Sequence, residues 1–285
     1  MNLPRRTDSR DVPAAEQIRA MSYNELIGLV RETNRPPGGF ATLVAIARAA
    51  HLRPGQRVLE IGCATGYTGL ELAASTGCDV VGIDINQHSV TEAQRRAEAQ
   101  GLETVRFEVA DAGTLPYKSA QFDLVMCGNV PALLSDRAGA LAECMRVLKP
   151  RGLLAATPMY YVVEPPASLV ASVRKAIGVD IPVQFRMEAL AFYRELPLQC
   201  VVTLDHVFDE IHPDAVDTHS TAVLSRPHLQ ALTPAAAEAL TQVYRAYMQL
   251  FRRNLALMGF TILLLRKAPE GEDPELFTAH SVTTA

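Results

Sequence analysis

The chain has 285 residues, 48% of them hydrophobic, and a formal net charge of −4 from 27 Lys and Arg against 31 Asp and Glu. That length buries a substantial core, as one large domain or a domain with a cap. The slightly acidic balance argues against a duplex-binding surface, which needs a basic excess, and suits a neutral or cationic small molecule or a peptide.

The five cysteines, Cys63, Cys78, Cys127, Cys144 and Cys200, form no CxxC pair, and several lie in apolar strand-like runs. Buried reduced thiols follow, rather than a disulfide or zinc framework. The start, Met1-Asn2-Leu3-Pro4-Arg5-Arg6, has no apolar stretch behind its basic pair, and no apolar run reaches the roughly 18 residues a membrane helix needs. The expectation is a soluble cytoplasmic protein without a membrane partner.

Residues 1–20 read as a polar arm. Residues 22–33 have amphipathic spacing, with Leu26, Ile27, Leu29 and Val30 on the apolar side, and Asn34-Arg35-Pro36-Pro37-Gly38-Gly39 breaks that helix. A second helix is expected over 40–51. Strands then alternate with helices. Val58–Ile61 is a strand, 67–75 a helix, and Val80-Val81-Gly82-Ile83-Asp84 a second strand. Ser89 with Glu92 suggests a capping box for the next helix. Val105–Val109 and Phe122–Cys127 are strands, 132–148 is helical, and a fifth strand begins at Leu153 after Lys149-Pro150-Arg151-Gly152. This alternation predicts an α/β fold with a mostly parallel, doubly wound sheet. Beyond Pro158 come helices over 166–177 and 184–195 and an edge strand over 199–208. A polar loop over 209–232 leads to a long helix over 234–257, and Phe260–Leu265 is a last buried strand. The polar tail 268–285 is expected to fray.

The chemistry gathers at Val58-Leu59-Glu60-Ile61-Gly62-Cys63-Ala64-Thr65-Gly66-Tyr67, where a strand enters a glycine turn and then a helix. Glycines let backbone approach a ligand, and a helix start offers free N–H groups to an anion. Such a turn lies at the carboxyl edge of a parallel sheet, where ligands bind. A dinucleotide fingerprint, G-x-G-x-x-G, would place Ala64 and Tyr67 at glycine positions, which argues against a nicotinamide oxidoreductase. A phosphate-binding P-loop would need a lysine that is missing here.

The spacing instead follows Glu-x-Gly-x-Gly-x-Gly, with Ala64 in the middle place. The chain resembles the class I S-adenosylmethionine-dependent methyltransferases. Asp84 resembles the acidic residue that binds the ribose hydroxyls, and Asp111 the one that meets the adenine amino group. Phe122-Asp123-Leu124-Val125 resembles the fourth strand, and Arg146–Gly152 the helix-to-strand turn that often ends Lys-Pro-Gly-Gly. The resemblance implies a Rossmann-like fold with a helical cap, S-adenosyl-L-methionine as cofactor, and a cofactor site of Glu60, Gly62, Cys63, Ala64, Thr65, Gly66, Asp84, Ile85, Asp111, Ala112 and Asn129. Residues 56–157 would form the binding core. Residues 1–55 would supply an arm and cap helices, and 158–267 the substrate cap and the last two strands. Asn129-Val130-Pro131 departs from the Asn-Pro-Pro-Tyr pattern of enzymes acting on base amino groups, further disfavouring nucleic acid.

Methyl transfer from a sulfonium is an in-line displacement that depends mainly on alignment and exclusion of water, so a base is needed only when the acceptor must lose a proton. Tyr23, Asn34, Arg35, Tyr160 and Tyr161 are candidates for the substrate side or a lid. His206 is a candidate base, and Asp209, with Glu210, a candidate for holding an amine. The other reading of Asp205–His219 is a solvated strand and loop, and its His and Asp residues lack a metal-ligand spacing. The apolar stripe Leu240, Val243, Tyr244, Tyr247, Met248, Phe251 and Leu255 is most simply a core face, and its spacing also suits a pocket wall or a homodimer seam. The expected reaction is methylation of an oxygen or nitrogen of a natural product or modified peptide. A nicotinamide oxidoreductase and a non-catalytic scaffold of the same fold are the alternatives.

Overall fold

Short apolar strands flanked by helices can hide both faces only inside a sandwich, and the chain folds accordingly. A computed structural model describes residues 13–273. In chain order the elements are α1 (Ala15–Ala20), α2 (Tyr23–Val30), α3 (Gly39–Ala49), β1 (Arg57–Ile61), α4 (Tyr67–Thr76), β2 (Asp79–Asp84), α5 (Gln87–Gln100), β3 (Val105–Val109), β4 (Phe122–Gly128), α6 (Arg137–Val147), β5 (Leu148–Ala156), β6 (Met159–Tyr161), α7 (Ala167–Ile177), α8 (Arg186–Arg194), β7 (Gln199–Val207), α9 (Pro213–Leu224), α10 (Pro234–Leu255) and β8 (Met258–Arg266).

All the strands join one sheet. β3, β2, β1, β4 and β5 run parallel in that spatial order. β8 is antiparallel to β5, β6 continues the row of β5 along the same edge of β8, and β7 pairs with the other edge. Side chains alternate between the two faces. Val58, Val80, Leu124 and Met126 pack against α3, α4 and α5. Leu59, Val81, Val125 and Leu154 pack against α6 and α8. A separate apolar core joins α1, α2, α9 and α10 through Ile18, Leu26, Val223, Leu240 and Tyr244. The stripe on α10 is spent largely there, while Leu250 and Phe251 pack towards α7. Among the described residues no helix is long and apolar enough to cross a membrane.

Several expectations are corrected. Within the expected arm, 15–20 is a helix anchored by Ile18, which is completely buried; residues 1–12 and the end of the tail, 274–285, lie outside the described residues. The expected loop 209–232 contains α9, started by Pro213 with His212 as its N-cap, and a short 3-10 turn over Pro227–Ala231. Helix α5 is capped by Asn86, whose side chain accepts from the amides of His88 and Ser89. Glu92 instead lies one turn deeper, buried and paired with arginines. The expected helix 132–148 starts later, at Arg137, because Val130–Leu133 forms a 3-10 turn and Asp136 supplies the cap.

Candidate cofactor and acceptor site

At the carboxyl edge of the sheet, the amides of Gly62 and Cys63 both donate to the carbonyl of Ile83 at 2.8 Å, which binds the turn after β1 to the end of β2. The turn is unusual backbone. Gly62, Ala64 and Gly66 have φ of 73°, 44° and 86°. Gly62 needs its missing side chain twice over, because a Cβ there would also run into Cγ2 of Val130. Ala64 holds the left-handed conformation without a glycine, and its amide donates to Asp84 Oδ2 at 2.9 Å. Asp84 Oδ1 accepts from the amide of Asn86 at 2.9 Å. One carboxylate thus bridges the turn after β1 and the cap of α5, and each oxygen retains further acceptor capacity. The amide of Ala110, just past β3, donates to the carbonyl of Asp84, so the ends of three adjacent strands are linked.

A cavity of about 430 Å³ opens beside this turn. Its walls include Glu60, Gly62, Cys63 and Ala64 on one side and Gly128, Asn129 and Thr157 from the ends of β4 and β5. Asn34, Arg35, Pro36 and Pro37 close it from the N-terminal segment, and Met159, Phe208 and Leu255 from the C-terminal part. Glu60 is 7% exposed, its Oε2 has no hydrogen-bond partner, and burial pushes its carboxyl up to about 8. Burial likewise raises the Cys63 thiol far above its usual range, so it is no ready nucleophile. The hydroxyl of Thr157, 2% exposed, also lacks a partner. Arg35 stacks its guanidinium over the ring of Tyr67 at 5.1 Å from the centroid.

The expected cofactor residues divide into three groups. Glu60, Gly62, Cys63, Ala64 and Asn129 line the cavity. Asp84, Ile85, Asp111 and Ala112 stand along the neighbouring strand ends, with Ile85 76% exposed despite its apolar side chain and Ala112 buried. Asp111 accepts from the amide of Gly113 through Oδ1. Thr65 and Gly66 are internal. Thr65 is fully buried and donates to the carbonyl of Glu32 at 2.5 Å, while a Cβ on Gly66 would press on Ala93 and Phe107.

The substrate-side expectations fare differently. Asn34 and Arg35 reach the cavity. Tyr23 does not, since it packs edge-on against Phe251 and Tyr247 within the cap. Tyr160 and Tyr161 are both 3% exposed and turn elsewhere, the first bonding to Asp205 and the second to Asn254. His206 and Asp209 are exposed and absent from the cavity wall, and His206 stacks on Phe260 at the sheet edge. The acidic cluster is dispersed. Burial pushes the Asp205 carboxyl up, but bidentate pairing with Arg186 and the hydroxyl of Thr261 outweigh it and hold the group low; Asp217 pairs with Arg245. Thr157, Met159 and Phe208 were not anticipated, although the rule that ligands meet the carboxyl ends of parallel strands points to Thr157.

The residues present fit a nucleoside with an amino-acid tail. A carboxylate stands at the end of β2 beside an exposed apolar side chain, and Glu60, which lines the cavity, has a buried carboxylate oxygen without a partner.

Comparisons with known proteins agree. A family model described as a methyltransferase domain matches residues 52–184. The chain is 37% identical over 125 residues to the 27-O-demethylrifamycin SV methyltransferase of Amycolatopsis mediterranei, covering 44% of this chain and 46% of that protein. It is 34% identical over 143 residues to the aklanonic acid methyltransferase DauC of a Streptomyces species, covering 48% and 64%. The chain thus spans less than two thirds of the length of these relatives. A methyltransferase from Thiobacillus denitrificans, solved in complex with S-adenosyl-L-homocysteine, shares the fold with a TM-score of 0.62 at 23% identity, over 86% of this chain and 99% of that one. Residues 52–184 of this chain thus match a methyltransferase domain and are similar in sequence to these methyltransferases, whose fold the chain shares.

Proposed function

We propose that the protein transfers a methyl group from S-adenosylmethionine to an oxygen or nitrogen atom of a small molecule of the natural-product kind. The observation that carries this reading is the bridge from Asp84 to the Ala64 amide, which fixes a carboxylate at the strand end beside the glycine turn. Bound there, the cofactor supplies an electrophilic methyl group on a sulfonium. The carboxylate of Asp84 accepts hydrogen bonds from the ribose hydroxyls, the exposed face of Ile85 covers the base, and Asp111 meets its amino group. Glu60 faces the amino-acid tail, where an ammonium would satisfy its unpaired oxygen. Residues 56–157 carry the cofactor on this reading. The segments before and after them wall the acceptor space and exclude water, which strengthens alignment for in-line attack.

Two relatives named for the small molecules 27-O-demethylrifamycin SV and aklanonic acid support a small-molecule acceptor. The dispersal of the acidic cluster removes the reason to favour an amine, so oxygen and nitrogen stand level. Calorimetric titration with S-adenosylhomocysteine and fluorescence titration with NADH test the reading together. Binding of the first alone supports it, and binding of NADH alone returns the site to a nicotinamide enzyme.

A further inference from the structure

Thr157 follows β5 directly, its amide donates to the carbonyl of Gly128 at 2.9 Å, and its side chain helps wall the cavity. The residue is 2% exposed, yet Oγ1 has no hydrogen-bond partner in the protein. A buried hydroxyl in that state is unfavourable by comparison with a methyl of the same shape, and a ligand in the cavity removes the deficit. Glu60, the other cavity residue with an unpaired buried atom, lies on β1 leading into the glycine turn. Elsewhere the wall includes the apolar side chains of Met126, Leu133, Met159, Phe208 and Leu255, together with Asn129, whose Oδ1 accepts from the amide of Met159 at 3.0 Å. The titratable side chains on the cavity wall are Glu60, Cys63 and Arg35, which belong to the turn region and the N-terminal segment. Away from the turn region and the N-terminal segment, the wall therefore offers the Thr157 hydroxyl and the Asn129 amide among apolar side chains, and no charge to pair.

We infer that the acceptor is an uncharged, largely apolar molecule whose polar group hydrogen-bonds to Thr157 Oγ1, and that Thr157 is the residue that holds it. This rests on the proposed methyltransferase reading and narrows its substrate class. Thr157 acts by positioning and takes no proton.

The test uses the full chain saturated with S-adenosylhomocysteine and three probes of similar shape: 1-naphthol, 1-methylnaphthalene and 1-naphthoate. The wild type should bind 1-naphthol about tenfold more tightly than 1-methylnaphthalene, the worth of one buried hydrogen bond, and 1-naphthoate less tightly than 1-naphthol. Thr157→Val should erase the preference for the hydroxyl, and Thr157→Ser should keep it. Neither change should move the affinity for S-adenosylhomocysteine. Melting of the unliganded Thr157→Val protein should be unchanged or raised, because no protein hydrogen bond is lost. Three results would overturn the inference: no preference for 1-naphthol in the wild type, the preference surviving in Thr157→Val, or a lowered melting temperature in that variant. Failure of the wild type to bind S-adenosylhomocysteine would instead sink the methyltransferase reading, and this inference with it.

Discussion

The backbone amide of Ala64 donates to Asp84 Oδ2 at 2.9 Å, so the residue that replaces a glycine in the turn is held by the carboxylate expected to bind the ribose. Removing that carboxylate should loosen both turn and ligand. Asp84→Ala should weaken S-adenosylhomocysteine binding by about 10–100-fold, the range for losing charge-assisted hydrogen bonds. Asp84→Asn, which keeps an acceptor oxygen, should lose less. Titration calorimetry reads both, and unchanged affinity in Asp84→Ala would place the ribose elsewhere.

Gly62 and Ala64 make opposite predictions about the same turn. Gly62→Ala adds a Cβ at φ 73° and drives it into Val130, so it should destabilise by about 1–3 kcal/mol. The double variant with Val130→Ala should recover the steric part, visible as coupling in a denaturant-based mutant cycle. Ala64→Gly relieves a left-handed alanine at φ 44° and should be neutral or stabilising by up to about 1 kcal/mol.

Glu60 predicts a pH dependence. Its carboxyl titrates at about 8 in the fold, raised chiefly by burial, against an ordinary value of 4.5. A raised carboxyl means the folded chain holds the proton more tightly than the unfolded chain. The associated stability is therefore fully present below the ordinary value and is lost as pH rises through about 8. Glu60→Gln should flatten the fall in melting temperature across that window. An ammonium placed beside Glu60 should also pull its proton off, so S-adenosylhomocysteine binding at neutral pH should release protons. Calorimetry in buffers of different ionisation enthalpy measures that release.

Arg96 ties the turn to the cap. Its Nε pairs with the buried Glu92 at 2.8 Å, Nη2 donates to the carbonyl of Arg31 at 2.6 Å, and Nη1 reaches the carbonyl of Thr65 at 3.2 Å. Arg96→Ala strands a carboxylate that keeps only the more exposed Arg95 and Arg31, and should cost about 3 kcal/mol. Chemical denaturation checks the value. A loss below about 0.5 kcal/mol would mean that the pair contributes no more than a surface one.

His206 should prove dispensable. It is exposed, stacked on Phe260 and outside the cavity, so His206→Ala should leave S-adenosylhomocysteine affinity within about twofold, as for a surface substitution.

The central sheet was readable in the sequence because strands buried on both faces must be continuously apolar, and because the turn at Gly62–Gly66 and the aspartate at 84 carry their own local signals. Helix α1 was not readable, since a helix of six residues with one buried side chain, Ile18, has no periodicity to detect. Helix α9 was hidden by its polar surface, although Pro213 after His212 marks its start. The site divided along the same line. The turn residues Gly62, Cys63 and Ala64 could be placed by strand-end logic and Glu60 and Asn129 by the family resemblance, whereas the rest of the cavity wall joins Pro37, Thr157, Phe208 and Leu255 from distant parts of the chain. His206 and the tyrosines at 160 and 161 lie outside the cavity because partners distant in sequence hold them: Phe260 for His206, Asp205 for Tyr160 and Asn254 for Tyr161.

The most direct measurement is titration calorimetry of the full chain with S-adenosylhomocysteine, alongside Asp84→Ala. One-to-one binding by the wild type, sharply weakened in the variant, is the predicted result. Absence of binding by a folded wild-type protein would contradict the account at its centre.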